Sequence, residues 1–281
     1  MSAPADRISR FAALVRTGEV ERGSGPVRFG VDLGTANIVL SAVDEFGEPV
    51  AGGLVQSTVV RDGIVIDWQG AVHAVTSLKD GLFQRLGLEV TKASVAVPPG
   101  ISAGTAKVFT NVLEAAGMET DEVVDEPVAA ARVLGLLDGA VIDVGHGTTG
   151  VSILRDGKVA VSEDEPTGGH HMTLVVAGSL GISYEEAEKL KKNPGKRDMV
   201  LGLIRPTLEK MALIARDVLQ GQDVEVVHLV GGSASHPKAE QVFAEVLGCT
   251  VIRPANPLFV TPLGIPMPAT IPTPSEKRNR G

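Results

Sequence analysis

Two segments of the sequence place an aspartate directly before a short turn built of glycine and threonine. The first is DLGT at residues 32–35, and the second is DVGHGT at residues 143–148. Such a turn directs several backbone N–H groups to one side, and this concave arrangement binds phosphate. Glycine permits close approach of the ligand, and the threonine hydroxyl is a further hydrogen-bond donor. From the two turns we expect the phosphate-binding residues to be Gly34, Thr35, Gly145, His146, Gly147 and Thr148.

The aspartates indicate a metal ion beside the phosphate. A carboxylate at this position can hold Mg²⁺ through the water molecules that the ion coordinates. Asp32 and Asp143 are therefore the expected metal-site residues, with a role in catalysis. A single hairpin of this kind would more simply be an ordinary turn with a solvated aspartate, but the duplication favours a pair of phosphate-binding units.

The two turns belong to an internal repeat. In each copy an apolar strand precedes the turn, and a second apolar strand, a hairpin and a third strand follow it. The copies begin about 110 residues apart, which is the size of one small domain. We therefore expect two similar lobes that each open with a β-meander and face each other across a cleft.

A third glycine turn is VGGSA at residues 230–234, between a predicted strand and a predicted helix. Here the exposed backbone at a helix start can lie against a nucleoside and its first phosphate. Residues 145–150 also match the G-x-G-x-x-G pattern of dinucleotide-binding folds, but that pattern requires a helix to begin within it. Because residues 151–154 read as a strand, we reject the dinucleotide interpretation.

The elements that must position these turns alternate along the chain. This alternation predicts an α/β architecture whose sheets are covered by helices on both faces. Strands are predicted at residues 27–33, 38–43, 49–55, 93–97, 140–144, 151–154, 158–162 and 224–230. Helices are predicted at residues 71–86, 102–116, 127–136, 173–181, 184–192, 199–219 and 237–247.

Composition excludes several classes of protein. The 281 residues carry a net charge of −8 and only 3% are aromatic, so we expect no nucleic-acid partner. The single cysteine excludes a disulfide framework and fits a reducing cytoplasm. No apolar run approaches the roughly 20 residues of a membrane span, and arginines near the N-terminus interrupt any signal peptide. We expect a cytoplasmic protein with no membrane partner.

Residues 1–26 are predicted to form an amphipathic helix followed by a linker. Ile8, Phe11 and Leu14 fall at helical spacing, and GSGP at residues 23–26 breaks the helix. Because an isolated helix this short is marginal in water, its apolar stripe must pack against something. Two hypotheses remain open: the helix braces the core of its own chain, or it docks on a partner.

The motifs, in this order, resemble those of the actin/Hsp70/sugar-kinase (ASKHA) superfamily of ATPases. Residues 31–37 and 143–148 are similar to its two phosphate motifs, and residues 231–234 are similar to its adenosine motif. Residues 125–131 (DEPVAAA) resemble its connecting helix. The glutamate of that helix, here Glu126, would position the attacking water.

Further matches extend the resemblance across about residues 27–265. Residues 94–101 are similar to a Val-Pro strand end of the superfamily, and residues 262–264 resemble its closing helix. Residues 183–191 look like the helix that presents glutamate and lysine to ribose and adenine. The resemblance therefore implies that the nucleoside-binding residues are Glu185, Glu188, Lys189, Gly231, Gly232 and Ser233.

The resemblance implies a two-lobed, actin-like ATPase fold of the α/β class, with ribonuclease H-like repeats and no peptide-binding domain. Lobe I would comprise residues 27–139, closed by residues 255–265, and lobe II residues 140–254, followed by a C-terminal tail at residues 266–281. It also implies that the chain binds ATP or ADP with Mg²⁺.

In its length and in the residues of its motifs, the sequence most resembles the ethanolamine-utilisation EutJ family, chaperone-like proteins associated with bacterial microcompartment operons. This implies an ATP-dependent chaperone or a reactivating or assembly factor whose client is an ethanolamine-metabolising enzyme or a microcompartment component. An actin-like scaffold or filament protein is the alternative, and a small-molecule kinase ranks last because no further carboxylate motif stands out.

Two departures from the superfamily pattern predict slow hydrolysis of ATP. His146 replaces the middle glycine of the second phosphate turn. A side chain in a turn that requires positive φ would cost about 1 kcal/mol or more and would crowd the terminal phosphate. In addition, neither Arg61 nor Lys79 has the context of the catalytic lysine of Hsp70.

Overall fold

The structure is a computed structural model that describes residues 2–61 and 63–269. The predicted C-terminal tail lies outside the described residues from residue 270 onward. The chain divides into two compact units: unit 1 contains the residues up to Leu137 and from Phe259 on, and unit 2 contains Asp138–Leu258.

Unit 1 begins with the elements α1 (Pro4–Thr17), β1 (Arg28–Leu33), β2 (Asn37–Val43), β3 (Pro49–Gln56), β4 (Val60–Arg61), β5 (Ile64–Val65), α2 (Trp68–Leu86), β6 (Lys92–Val97), α3 (Ala103–Ala115), β7 (Glu119–Asp125) and α4 (Glu126–Leu134). Unit 2 follows with β8 (Gly139–Val144), β9 (Thr149–Arg155), β10 (Lys158–Glu165), α5 (Gly169–Leu180), α6 (Tyr184–Lys191), α7 (Arg197–Leu219), β11 (Val226–Val230), α8 (Ala239–Leu247) and β12 (Thr250–Ile252). The chain then returns to unit 1 with α9 (Val260–Gly264). Short 3₁₀ helices lie at Pro194–Lys196, Gly232–Ser235 and Pro257–Phe259.

The two units contain sheets of the same topology. The strand order is β3-β2-β1-β6-β7 in unit 1 and β10-β9-β8-β11-β12 in unit 2. In each sheet the first three strands of the order form an antiparallel meander. The other two strands run parallel to β1 in unit 1 and to β8 in unit 2. The predicted duplication of a β-meander is confirmed.

Alternating residues of each strand face different layers. In unit 1, Val31 of β1 packs in a cluster with side chains of α2 and α3, whereas a Cβ on the neighbouring Gly30 would overlap Ile265 and Pro266. In unit 2, Ile142 of β8 packs with side chains of α5, α7 and α8. Because the central strands are covered on both faces, they read in the sequence as nearly continuous apolar runs.

Each predicted strand and helix is present within a few residues of its expected bounds. The strand β9 begins inside the G-x-G-x-x-G segment, which confirms that this segment is not a dinucleotide-binding turn. The strands β4, β5, β7 and β12 were not predicted from the sequence. Within the described part of the chain, no helix is long and apolar enough to cross a membrane.

The N-terminal helix α1 packs on its own unit. Ile8, Phe11 and Leu14 are almost fully buried. The ring of Phe11 lies against Gly52 of β3, where a Cβ would overlap it, and meets the ring of Phe259 edge to face at 5.7 Å. The apolar stripe is therefore covered by the chain itself, as the brace hypothesis predicts, and is not free to dock on a partner.

We expect Phe11→Ala to lower the free energy of unfolding by about 3 to 5 kcal/mol, because it removes a fully buried ring and leaves a cavity. Val20→Ala is a matched control, since Val20 is 42% exposed and its truncation should change the free energy by less than about 0.5 kcal/mol. Chemical denaturation of both variants measures the difference. Equal stability of Phe11→Ala and the parent chain would contradict the bracing role.

Candidate nucleotide-binding residues

In unit 1 the first aspartate-glycine turn joins β1 to β2. Asp32 pairs with Val39 near the end of the antiparallel ladder, and the turn itself spans residues 34–36. A Cβ on Gly34 would lie only 2.9 Å from the carbonyl oxygen of Asn37. Because of this close approach, position 34 requires glycine. The half-buried Asp32 and Thr35 therefore lie beside backbone that carries no side chain.

The same edge of the unit 1 sheet carries Glu126. Strand β6 pairs in parallel with β1, and β7 pairs in parallel with β6, with Val97 opposite Asp125. Because parallel strands end at the same edge of a sheet, Glu126, the first residue of α4, lies at the edge where β1 ends at Asp32 and Leu33. Burial raises the pKa of the neighbouring Asp125. Within unit 1, the structure thus brings the predicted metal-site and water-positioning carboxylates to one edge.

In unit 2 the second turn is closed by its own backbone. Gly145 donates its N–H to the carbonyl oxygen of Thr148 at 2.9 Å, and Asp143 precedes the turn at the end of β8. Strand β11 pairs in parallel with β8, with Val230 opposite Asp143. Gly231 follows with φ of 92°, and a Cβ there would overlap the Asp143 carboxylate and the Val144 carbonyl. The second and third glycine turns therefore lie directly against each other.

The first turn of α5 packs against this second glycine turn and donates hydrogen bonds to it. Gly169 donates to the carbonyl oxygen of Gly145 at 3.0 Å, and His170 donates to that of His146 at 2.8 Å. A Cβ on Gly168 would lie 2.5 Å from the His146 oxygen. The Ser233 side chain lies over Gly169, where a Cβ would overlap it. The helix was predicted to begin at residue 173, four residues too late, so the contacts of Gly168 and Gly169 with the turn were not predicted.

His146 does not have the strained backbone that the sequence predicted. Among the described residues, the non-glycine residue with positive φ is Asp156, at 52°, and His146 is not in that region. The expected penalty at His146 is therefore wrong. Its imidazole Nε2 lies 3.2 Å from the Tyr184 hydroxyl, which in turn lies 3.0 Å from Nδ1 of His170. Burial, and then the charge of Lys191, lower the pKa of His146.

The helix α6 presents Glu188 and Lys191 to the first turn of α5. Lys191 Nζ donates to the Gly169 carbonyl oxygen at 2.9 Å, to Thr173 Oγ1 at 2.7 Å and to Glu188 at 2.7 Å. Burial alone would raise the pKa of Glu188, but hydrogen bonds from Lys191 and Thr173 outweigh it and lower that pKa from 4.5 to about 2. By contrast, Glu185 and Lys189 are exposed. The sequence predicted Lys189 for this inward position and missed Lys191.

Within each unit, the turn places an aspartate beside backbone and hydroxyl groups, a donor set whose chemistry suits a phosphate and its metal ion. Gly34, Gly145 and Gly231 each lie where a Cβ would press on a carbonyl oxygen, at 2.9 Å, 3.3 Å and 2.5 Å respectively, so the close packing of the backbone beside Asp32 and Asp143 favours glycine at these positions. Carboxylate oxygens are the ligands that Mg²⁺ prefers. Lys79 donates to the Ala116 carbonyl oxygen at 2.6 Å, which gives it a structural role.

Two family models match parts of the chain. The model of the cell division protein FtsA matches residues 140–270, and that of the Hsp70 protein matches residues 70–195. The two matches together cover parts of both units.

A relative of known family and two solved structures are similar over most of the chain. Ethanolamine utilization protein EutJ of Escherichia coli (strain K12) is 42% identical over 241 residues, which is 85% of each chain. The crystal structure of EutJ from Carboxydothermus hydrogenoformans is 42% identical, covers 96% of this chain and 98% of its own, and superposes with a TM-score of 0.89. The structure of MreB5 of Spiroplasma citri bound to ADP is 17% identical, covers 85% of this chain and 94% of its own, and has a TM-score of 0.69.

We expect Glu188→Gln to weaken the dependence of stability on acid pH. Because the folded-state pKa of Glu188 lies near 2, below its ordinary 4.5, the ionised carboxylate stabilises the fold above the ordinary value, and this contribution is lost as pH falls towards about 2. Between neutral pH and about pH 2, the free energy of unfolding of the variant should fall by about 1 to 2 kcal/mol less than that of the parent chain. The difference is modest because solvent partly screens the carboxylate.

Denaturation curves from neutral pH to about pH 2 test this expectation. Glu185→Gln is the matched control, since Glu185 is exposed on the same helix. If both variants showed the same acid dependence as the parent chain, the ion-pair network would have no part in holding α6 against α5.

Proposed function

The chain belongs to the EutJ family of ethanolamine utilization proteins and has an actin-like ATPase fold, and from this premise we propose that it is an ATP-dependent, chaperone-like factor of ethanolamine utilisation. In this proposal it binds ATP or ADP with Mg²⁺ and couples the nucleotide state to the binding of a protein client. The observation that carries the proposal is that the central strand of each unit has an aspartate as its next-to-last residue, directly before a glycine turn.

Each turn contributes phosphate- and metal-binding groups in this proposal. Each turn would supply one carboxylate to hold Mg²⁺, Asp32 in unit 1 and Asp143 in unit 2, and magnesium would neutralise charge on the phosphates. The backbone and hydroxyl donors come from Gly34, Thr35, His146, Gly147 and Thr148, whereas the N–H of Gly145 is already bonded to the Thr148 carbonyl oxygen within the turn. Glu126 would accept a hydrogen bond from the attacking water and orient it, and the part of Asp32 and Asp143 in catalysis would be to hold the metal ion.

The nucleoside contacts come from unit 2. Gly231, Gly232 and Ser233 follow β11 directly, and the overlap between a Gly231 Cβ and Asp143 supports their place beside the second phosphate turn. The resemblance assigns Glu185, Glu188 and Lys189 to ribose and adenine. The inward direction of Glu188 and Lys191 supports Glu188 in that role and favours Lys191 over Lys189.

The client is proposed to be a protein of ethanolamine metabolism or a component of its microcompartment, which places the chain in the cytoplasm beside that compartment. Membership of the EutJ family supports this location and partner. An actin-like scaffold is the alternative, because the fold is shared with MreB5. Sedimentation with Mg-ATP and with Mg-ADP distinguishes nucleotide-dependent filaments from a factor that stays small and co-purifies with its client.

We expect Mg-ATP and Mg-ADP to raise the melting temperature of the chain. A ligand that binds only the folded state stabilises it by about 2.7 kcal/mol at one hundred times its dissociation constant. Asp143→Asn should weaken the Mg-dependent affinity by about tenfold to a hundredfold, because it removes a charged acceptor worth about 1.5 to 3 kcal/mol. Asp80→Asn, an exposed position on α2, should change nothing. A parent chain that no nucleotide stabilises would contradict the proposal.

We expect Glu126→Gln to retain nucleotide affinity and to lose turnover. Removal of a group that orients or activates water costs about 10²- to 10⁴-fold in rate. Single-turnover hydrolysis measured beside calorimetric binding separates the two effects. Glu114→Gln, exposed on α3, is the control and should hydrolyse ATP at the parent rate. Loss of affinity with an unchanged rate per bound ATP would show that Glu126 has another role.

A further inference from the structure

The side chain of His146 leaves the second phosphate turn and joins a line of three polar rings. His146 Nε2, the Tyr184 hydroxyl and His170 Nδ1 lie within hydrogen-bond distance in sequence, at 3.2 Å and 3.0 Å. The ring centroids of His146 and His170 are 5.9 Å apart, and those of His170 and Tyr184 are 5.2 Å apart. All three residues belong to unit 2, so the line connects the turn to the starts of α5 and α6.

Burial and the charges around His146 disfavour a proton on its imidazole and lower its pKa. The ammonium groups of Lys191, the last residue of α6, and of Lys192, which follows it, oppose a proton on His146, and the Glu188 carboxylate favours one. From α5, His170 opposes it. Burial is the largest effect and lowers the pKa of His146 below its ordinary 6.5. Since Glu188 is itself paired with Lys191 and Lys192, little net negative charge faces the ring.

We propose that His146 takes up one proton when the phosphates of a nucleotide bind the turn, so that the imidazolium becomes part of the phosphate-binding charge. This inference rests on the proposed nucleotide function and deepens it. A bound phosphate brings the negative charge that this half-buried ring lacks, and such attraction is stronger there than in bulk water. The proton comes from solvent and forms an N–H bond at Nε2 of His146, and no other covalent bond forms or breaks in the ring.

Tyr184 and His170 give the added proton a defined place. A neutral His146 can accept a hydrogen bond from the Tyr184 hydroxyl at Nε2, whereas an imidazolium must donate from the same atom. The hydroxyl can serve either ring, because it can turn from donating to His146 to donating to Nδ1 of His170. Tyr184 is therefore a positioning residue, and its hydroxyl pairs with both rings in both protonation states of His146, provided that the proton of the neutral His170 ring moves from Nδ1 to Nε2 as the hydroxyl turns.

Nucleotide affinity should consequently depend on pH. The bound state holds more protons than the free state, so affinity is greatest at low pH and falls as pH rises from the lowered pKa of free His146 to its raised value in the complex. Within that window the dissociation constant should increase by up to about tenfold per pH unit. A histidine that only filled space in the turn would not produce this slope.

Calorimetry of Mg-ADP binding in two buffers of different ionisation enthalpy, at about pH 7, counts the protons. The parent chain should take up several tenths of a proton to about one proton per nucleotide. His146→Gly, which restores a glycine, and His146→Asn should both remove that uptake. His73→Asn, an exposed histidine on α2, should retain it. Because protons that belong to Mg-ADP are common to all variants, the difference isolates His146.

Two results would overturn the inference in distinguishable ways. Nucleotide binding with the same proton uptake in the parent chain and in His146→Gly would reject the role of His146 and leave the nucleotide site intact. A parent chain that binds no nucleotide would reject both proposals. Should the variants fail to fold, NMR titration of the His146 ring in the parent chain decides instead: its pKa must rise when Mg-ADP is bound, and an unchanged pKa rejects the inference.

Discussion

The central strand of each sheet is hydrogen-bonded on both edges, and this constraint determines where the two aspartates lie. Strands β1 and β8 each pair antiparallel with the next strand of the chain and parallel with a later one. An antiparallel neighbour can follow through a short turn, whereas a parallel neighbour returns only after a crossover helix. The turn after the aspartate and the end of the parallel strand therefore meet at one edge. In unit 2 this places Gly231 against Asp143, and in unit 1 it places Glu126 at the edge of Asp32.

Strands with buried apolar residues were predictable from the sequence, and strands without them were not. The central strands β1 and β8 are continuous apolar runs because both of their faces are covered. The edge strand β7 reads ETDEVVD and is largely exposed. Charged residues protect an exposed edge from pairing with other chains, but they also remove the apolar pattern by which a strand is recognised. Strand β12 has only three residues, too few to show any periodicity.

The site residues that the sequence missed depend on packing rather than on local preference. Glycine disfavours a helix and histidine has a low helix propensity, so no local preference predicts that α5 begins at Gly169. It begins there because backbone N–H groups of its first turn bond to the carbonyl oxygens of residues 145 and 146. On α6, the choice between Lys189 and Lys191 depends on which face of the helix is buried. That face is set by Ala187 and by the contact of Lys191 with Thr173.

The same packing explains how a histidine can occupy a turn that resembles a run of glycines. The turn at residues 145–148 has ordinary φ at His146, so its own backbone does not demand glycine there. Glycine is required instead in the segments that pack against the turn. A Cβ on Gly168 would press on the His146 carbonyl from α5, and a Cβ on Gly231 would overlap Asp143 from β11. Because the neighbouring segments have glycine at these two points of contact, position 146 can hold an imidazole whose ring points to Tyr184. A substitution that looks like a defect in the motif is thus compatible with the fold, and its chemistry is available to the site.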